Sequence, residues 1–167
     1  NSLYGISLRA TYSICKDNNG FIWASSKTGI IRLTENDYHL YQLPYESLDN
    51  ITVRVIFENG QLIAYSNNGQ IFSYNRLQDR FDLVINLSTI LNTKLISVNA
   101  LLIDDSGAFW VAMSTGFYCF QTGQLDTILE FSTERNSMIW LDKEELILVR
   151  SGGIWLFNTR SRNFELL

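Results

Sequence analysis

An internal repeat of about forty residues constrains this chain more than any other feature, because a unit too small to close its own core has to stack on copies of itself. "SICKDNNGFIWASSKTGIIRL", Ser13 to Leu33, sets the pattern: an acidic turn ending in Gly20, a strand carrying Trp23, then a second glycine, Gly29. "ALLIDDSGAFWVAMSTGFYCF", Ala100 to Phe120, repeats it with Gly107, Trp110 and Gly116, and Asp104 takes the place of Asp17. Two weaker copies hold Ile63 between Gly60 and Gly69, and Ile147 between Glu144 and Gly153. The longer middle interval is taken up by "LSTILNTK", Leu87 to Lys94, read as a loop or short helix.

Each unit reads as four short strands. An apolar first strand, such as Tyr12 to Lys16 or Val98 to Ile103, enters a turn at Asn18-Asn19-Gly20, Asn59-Gly60 or Asp105-Ser106-Gly107, residues that tolerate the positive φ of hairpins. The second strand carries Trp23 or its equivalent, as in Phe21 to Ser25 and Phe109 to Ala112. Gly29, Gly69, Gly116 and Gly153 then open the third strands, Ile30 to Leu33, Gln70 to Tyr74, Phe117 to Phe120 and Ile154 to Phe157. A polar connection leads to an alternating fourth strand, such as His39 to Leu43 or Phe81 to Ile85.

Four antiparallel strands per period make the blade of a β-propeller. The expected fold is all-β: one propeller segment over residues 1–167 with four four-stranded blades, in repeats 11–43, 51–87, 95–131 and 136–167. Pro44, the one proline, falls in a link where no ladder bond is lost. Trp23, Ile63, Trp110 and Ile147 are expected to wedge between adjacent sheets, each contributing roughly 2 to 3 kcal/mol when buried.

Composition narrows the function classes. Hydrophobic residues at 46% and charged ones at 18% describe a globular segment with an ordinary core. The net charge of −4, with scattered basic residues, argues against nucleic acid as a partner. No apolar run reaches the roughly 18 residues of a membrane helix, so no membrane contact is expected of this segment, and "NSLYGISLRA" lacks the pattern of a signal peptide. Cys15 and Cys119 suit neither a metal site nor a disulfide framework and read as small buried hydrophobes.

The acidic turn, Gly, Trp, small residues and second Gly of Ser13–Leu33 and Ala100–Phe120 resemble the two-component regulator propeller repeat. The sequence departs from that repeat where Ala24 and Ala112 are followed by Ser25 and Met113 instead of glycine. The resemblance implies an extracytoplasmic, periplasmic ligand-sensing segment of a membrane-anchored hybrid sensor histidine kinase/response regulator, a class found in Bacteroidetes that responds to oligosaccharides. Such proteins continue into further blades, a transmembrane helix, a kinase and a DNA-binding regulator, none of which this sequence contains. Asp105-x-Gly107-x-x-Trp110 also has the spacing of the Asp-box of sialidase-type propellers, and quinoprotein-like repeats share a Gly and a Trp-bearing strand. In all three families the turn is structural, so Asp17, Asp104 and Asp105 are not expected to be catalytic. The alternatives are a fragment of a propeller glycosidase or lyase, or a quinoprotein-like scaffold.

Propellers bind ligands through loops between second and third strands and through residues entering the first strands. That rule points to Lys27, Thr28, Asn67, Asn68, Ser114, Thr115, Arg150 and Ser151, with Arg54 and Asn99 on innermost strands. Amides, hydroxyls and Arg suit sugar hydroxyls or a uronate, and Arg54 and Arg150 are favoured because an Arg among apolar neighbours needs a partner. Ordinary solvated turn residues remain the alternative. His39, the single histidine, lies on an outer strand and cannot serve both a base and a ligand set. Asp17, Glu35, Glu58 and Glu144 occupy turns without forming a pair. No catalytic residue, metal or cofactor is therefore expected, and this segment reads as non-enzymatic. Its expected partners are a small polar ligand such as an oligosaccharide, the remaining blades of a parent chain, or a second copy forming a homodimer, because four blades leave terminal apolar faces uncovered.

Overall fold

The computed structural model of the chain describes residues 10–44, 51–93, 96–131 and 135–167, so Lys94 of the expected loop and the boundary residue Leu95 of the third repeat lie outside the described residues. The chain divides into two compact units, Asn1–Leu91 and Asn92–Leu167. The first holds two antiparallel sheets. One contains β1 Thr11–Lys16, β2 Ile22–Ser26, β3 Gly29–Leu33 and β4 Tyr38–Tyr41; the other contains β5 Val53–Glu58, β6 Gln61–Ser66, β7 Gln70–Asn75 and β8 Arg80–Asn86. The second unit repeats this with β9 Val98–Ile103, β10 Phe109–Met113, β11 Gly116–Gln121 and β12 Gln124–Glu130, then β13 Ser137–Trp140, β14 Glu145–Arg150, β15 Gly153–Asn158 and β16 Asn163–Leu166. Strand order follows chain order in every sheet, so the expected all-β fold of four four-stranded blades is what forms. After β8, Leu87–Ile90 makes a short helix, α1, with the Asn86 side chain accepting from the Thr89 amide at 3.3 Å.

The acidic turns fold around their carboxylates. Asp17 Oδ1 accepts from the amides of Asn19 and Phe21 at 2.9 and 3.1 Å. Its Oδ2 accepts from Trp23 Nε1 at 2.8 Å. Asp104 does the same for Ser106, Ala108 and Trp110, at 2.9, 3.0 and 2.9 Å. The Asp-box spacing written on Asp105 therefore does not describe this turn: Asp105 is exposed, 3.7 Å from Lys143 Nζ.

Trp23 and Trp110 each fill the seam between the two blades of their unit. Trp23 packs among Tyr41, Tyr74 and Phe81, with centroids 5.4, 5.0 and 6.1 Å away, over Val55, Ala64 and Phe72. Trp110 meets Phe117 and Phe157 at 5.7 and 5.4 Å, beside Leu146 and Leu148. Ile63 is fully buried as expected. Ile147 is not: side chains alternate along a strand, so Leu146 and Leu148 turn inward to Trp110 while Ile147 lies on the opposite face, only partly buried.

The second glycines have two different jobs. Gly29 and Gly116 open β3 and β11, where a Cβ would sit 2.4 Å from the Tyr41 carbonyl oxygen and 2.5 Å from that of Leu129. The fourth strand thus passes too close for any side chain. At Gly69 the third strand begins at Gln70, as expected, with the glycine just before it. The turn is one residue longer there, and Gly69, with φ +89, lies inside it and donates to the Ser66 carbonyl at 3.1 Å.

Candidate functional site

In the first unit, the candidate residues are largely occupied by their own turns. Lys27 and Thr28 are exposed between β2 and β3, but the Thr28 hydroxyl lies 2.9 Å from that of Ser26. Asn67 is laced to the approach to β5: its Oδ1 accepts from the Thr52 amide at 3.0 Å and its amide donates to the Thr52 carbonyl at 2.9 Å. Asn68 accepts from the Ser66 hydroxyl, and its carbonyl accepts from Ser88 Oγ at 2.6 Å, which ties the turn to α1. Arg54 is exposed on β5, opposite Tyr65 on β6.

In the second unit, Asn99 Nδ2 donates to Asn136 Oδ1 at 3.1 Å, and Asn136 Nδ2 donates to the Met113 carbonyl at 2.9 Å. This bridge joins the two blades of the unit at their inner strands. Ser114 exchanges bonds with Ser97, through the Ser97 carbonyl at 2.8 Å and its own hydroxyl at 3.2 Å. Thr115 Oγ1 accepts from the Tyr118 hydroxyl at 3.0 Å. The Arg150 guanidinium lies over the rings of Phe131 and Trp155, 5.6 and 5.2 Å from their centroids. Ser151 is exposed at the turn tip.

Asn99 and Arg150 are thus set in interblade packing, while Lys27, Arg54 and Ser151 remain open to solvent. Buried Asn136 was not a sequence candidate. The one signal for it was a lone amide just before an apolar strand, which is too common to choose.

The other end of the second unit holds a cleft of about 390 Å³ that the sequence did not indicate. One wall is the β9–β10 turn with Asp105 and Ser106, and Gln121 donates to Ser106 Oγ at 3.1 Å. Blade four supplies the other wall: Lys143, Glu144, Thr159, Arg160 and Arg162. Arg160 pairs with Glu144 at 2.5 Å and Arg162 with Asp126 at 3.2 Å, all well exposed and so worth at most about 1 kcal/mol each.

Burial at the floor of the cleft pulls the Asp104 carboxyl up, but bonds from Ser106, Trp110 and the Ala108 amide outweigh it and leave the pKa below its ordinary value. The Cys119 thiol is pushed up to about 11, chiefly by burial. Cys15 is raised to about 11 as well, by burial and then by Asp17, so both are thiols at neutral pH rather than nucleophilic thiolates. Among the described residues no group of three or more His, Cys, Asp or Glu could hold a metal ion. The cleft itself presents hydroxyls, the Gln121 amide and paired charges.

No family model matches the sequence, and no curated protein does. Solved structures match well. The extracellular domain of BT4673 from B. thetaiotaomicron, described as a hybrid two component system, aligns with a TM-score of 0.70 at 20% identity over 94% of this chain. A second structure of that domain, described as a one component system, gives 0.64 at 22% identity over 95%. PorZ, a surface component of the type-IX secretion system of Porphyromonas gingivalis, gives 0.63 at 13% identity over 97%. The chain spans 23% of each of these three chains. At these identities the likeness is one of fold, and the fold is that of the blades in the BT4673 extracellular domain.

Proposed function

We propose that this chain is a non-enzymatic segment of an extracytoplasmic sensor propeller, the ligand-reading part of a hybrid two-component regulator. The observation that carries the reading is the match over 94% of the chain to the BT4673 extracellular domain, joined to a turn pattern that independently resembles the regulator propeller repeat. The ligand is a small polar molecule of the oligosaccharide class, held by hydroxyl, amide and guanidinium groups at the blade turns, and remaining blades of the parent chain share the task. Of the exposed sequence candidates, Lys27, Thr28, Arg54, Thr115 and Ser151, the two cations Lys27 and Arg54 are the ones that would pair with an acidic sugar.

A panel of neutral and acidic oligosaccharides titrated calorimetrically against the whole extracytoplasmic region tests this. Lys27→Ala and Arg54→Ala together should weaken the best ligand at least tenfold without lowering the melting temperature. Binding unchanged by both substitutions, or cleavage of any sugar in the panel, would remove the reading.

A further inference from the structure

The two units are built on one plan, yet they fill the space beside the tryptophan differently. Arg32 on β3 stands across from Trp23, and Cys119 on β11 stands across from Trp110. Two residues before the tryptophans come Phe21 and Ala108. In the first unit the Arg32 guanidinium lies over Phe21, Trp23 and Tyr41, 5.3 to 5.5 Å from their centroids, and donates to Asp79 at 3.2 Å. A ring and a planar cation thus occupy the space. In the second unit the small side chains of Ala108 and Cys119 leave it as the floor of the cleft of about 390 Å³. The charge is exchanged too: Arg162 holds the place of Asp79, each two residues before the phenylalanine, Phe164 or Phe81, that pairs with the third strand. The group that complements Arg162, where Arg32 complements Asp79, is a planar anion.

We propose that this cleft binds a small hydroxylated carboxylate, the class to which a uronic acid belongs, with its carboxylate on Arg162 and Arg160. The volume lies at the lower end of small-molecule sites, which run from about 300 to 1,000 Å³. Arg162 gives Asp126 one of its five N–H donors, so its planar fork can receive a second carboxylate alongside. The resident ion pairs are exposed and exchange at little cost. Asp104 is spent on its own turn, and the cations Lys143, Arg160 and Arg162 face Asp105, Glu144 and Asp126 one apiece. That balance leaves no surplus charge for a dianion such as phosphate, whereas a single carboxylate trades places with one already there. The floor residues are buried, and the walls present Ser106, Gln121 and Thr159, so the body of the ligand carries hydroxyls rather than an apolar surface. The carboxylate follows from the charges; that its carrier is a sugar rests on the oligosaccharide reading.

Glucuronate, glucose and inorganic phosphate, each titrated against the 167-residue chain while its amide NMR shifts are followed, test this. Glucuronate should move the amides of Ser106, Ala108 and Arg162, and glucose at the same concentration should leave them in place. Arg160→Gln combined with Arg162→Gln should raise the dissociation constant for glucuronate about tenfold or more, the loss of a charge-assisted bond. Arg80→Gln, which breaks an exposed pair of the same kind with Asp82 in the first unit, should not change it. Phosphate that moved the same amides as strongly as glucuronate would reduce the cleft to an anion patch and overturn the proposal. So would glucuronate binding that the double variant leaves intact. An oligosaccharide held through Lys27 and Arg54 in the whole extracytoplasmic region, with the cleft amides unmoved by glucuronate, would remove this site and leave the ligand reading standing.

Discussion

Trp23 Nε1 donates to Asp17 Oδ2 at 2.8 Å, and Trp110 Nε1 donates to Asp104 Oδ2 at 2.9 Å, so each tryptophan seam is locked to the turn that precedes it. Blade four shows the converse: where Ile147 replaces the indole, the residue two places past its cross-strand partner Ile139 is Leu141. A carboxylate there would have no indole to donate to it. In blade two the β5–β6 hairpin is one residue shorter and Glu58 takes that place. Asp17→Ala leaves three donors unsatisfied near a buried ring and should cost about 2 to 3 kcal/mol in urea unfolding. The link predicts non-additivity: Asp17→Ala combined with Trp23→Phe should cost measurably less than the sum of the two changes.

The turn carboxylates also set an acid limit. Hydrogen bonds hold Asp104 below its ordinary value against the pull of burial, and Tyr74, then Tyr41, do the same for Asp79. A carboxyl with a lowered folded pKa favours the folded state fully above the ordinary value of 3.8, and that contribution fades as pH falls through the lowered value. Stability should therefore be flat with respect to these two groups from pH 7 down to about 5 and then fall. Asp104→Asn should flatten the acid limb of a plot of melting temperature against pH. An unchanged limb would show that the turn does not titrate.

The same outer turn ties the two blades in both units, with the charges exchanged. Asp79, at φ +48 between β7 and β8, receives Arg32 at 3.2 Å; Arg162, at φ +58 between β15 and β16, reaches Asp126 at 3.2 Å. The surroundings differ. Asp79 also accepts from Tyr74 and, at 2.7 Å, from Tyr41, while Arg32 lies over Phe21, Trp23 and Tyr41 at 5.3 to 5.5 Å. Asp126→Asn should thus shift stability by less than about 1 kcal/mol, an exposed pair. Asp79→Asn, which weakens three bonds at once, should cost more, and a melt comparing the two variants reads the difference directly.

The blade was legible in the sequence because its signals are local. Gly20, Trp23 and Gly29 act through turns and a strand within one hairpin, and period-2 alternation supplied the rest. Ile147 was misplaced because its burial depends on whether a sheet lies over it, which no local pattern encodes. The site candidates suffered most. Asn67 and Ser114 look like free recognition groups in a sequence, yet each closes bonds to Thr52 and Ser97, partners at least fifteen residues away.

Gly107 and Gly116 separate two reasons for glycine that one sequence pattern cannot tell apart. Gly107 has φ +83 with open space around the Cβ it lacks, whereas at Gly116 a Cβ would sit 2.5 Å from the Leu129 carbonyl oxygen. Gly107→Ala should cost about 1 to 2 kcal/mol, the strain of a left-handed alanine. Gly116→Ala has to push β12 away from β11 and should cost about 1 to 3 kcal/mol or more, as overpacked cores do. Asparagine, which tolerates the left-handed region, decides between the causes. Gly107→Asn should recover much of the loss seen with alanine, while Gly116→Asn should be at least as damaging as Gly116→Ala. If asparagine rescued both sites in urea unfolding, backbone strain rather than the passing strand would be the reason for Gly116.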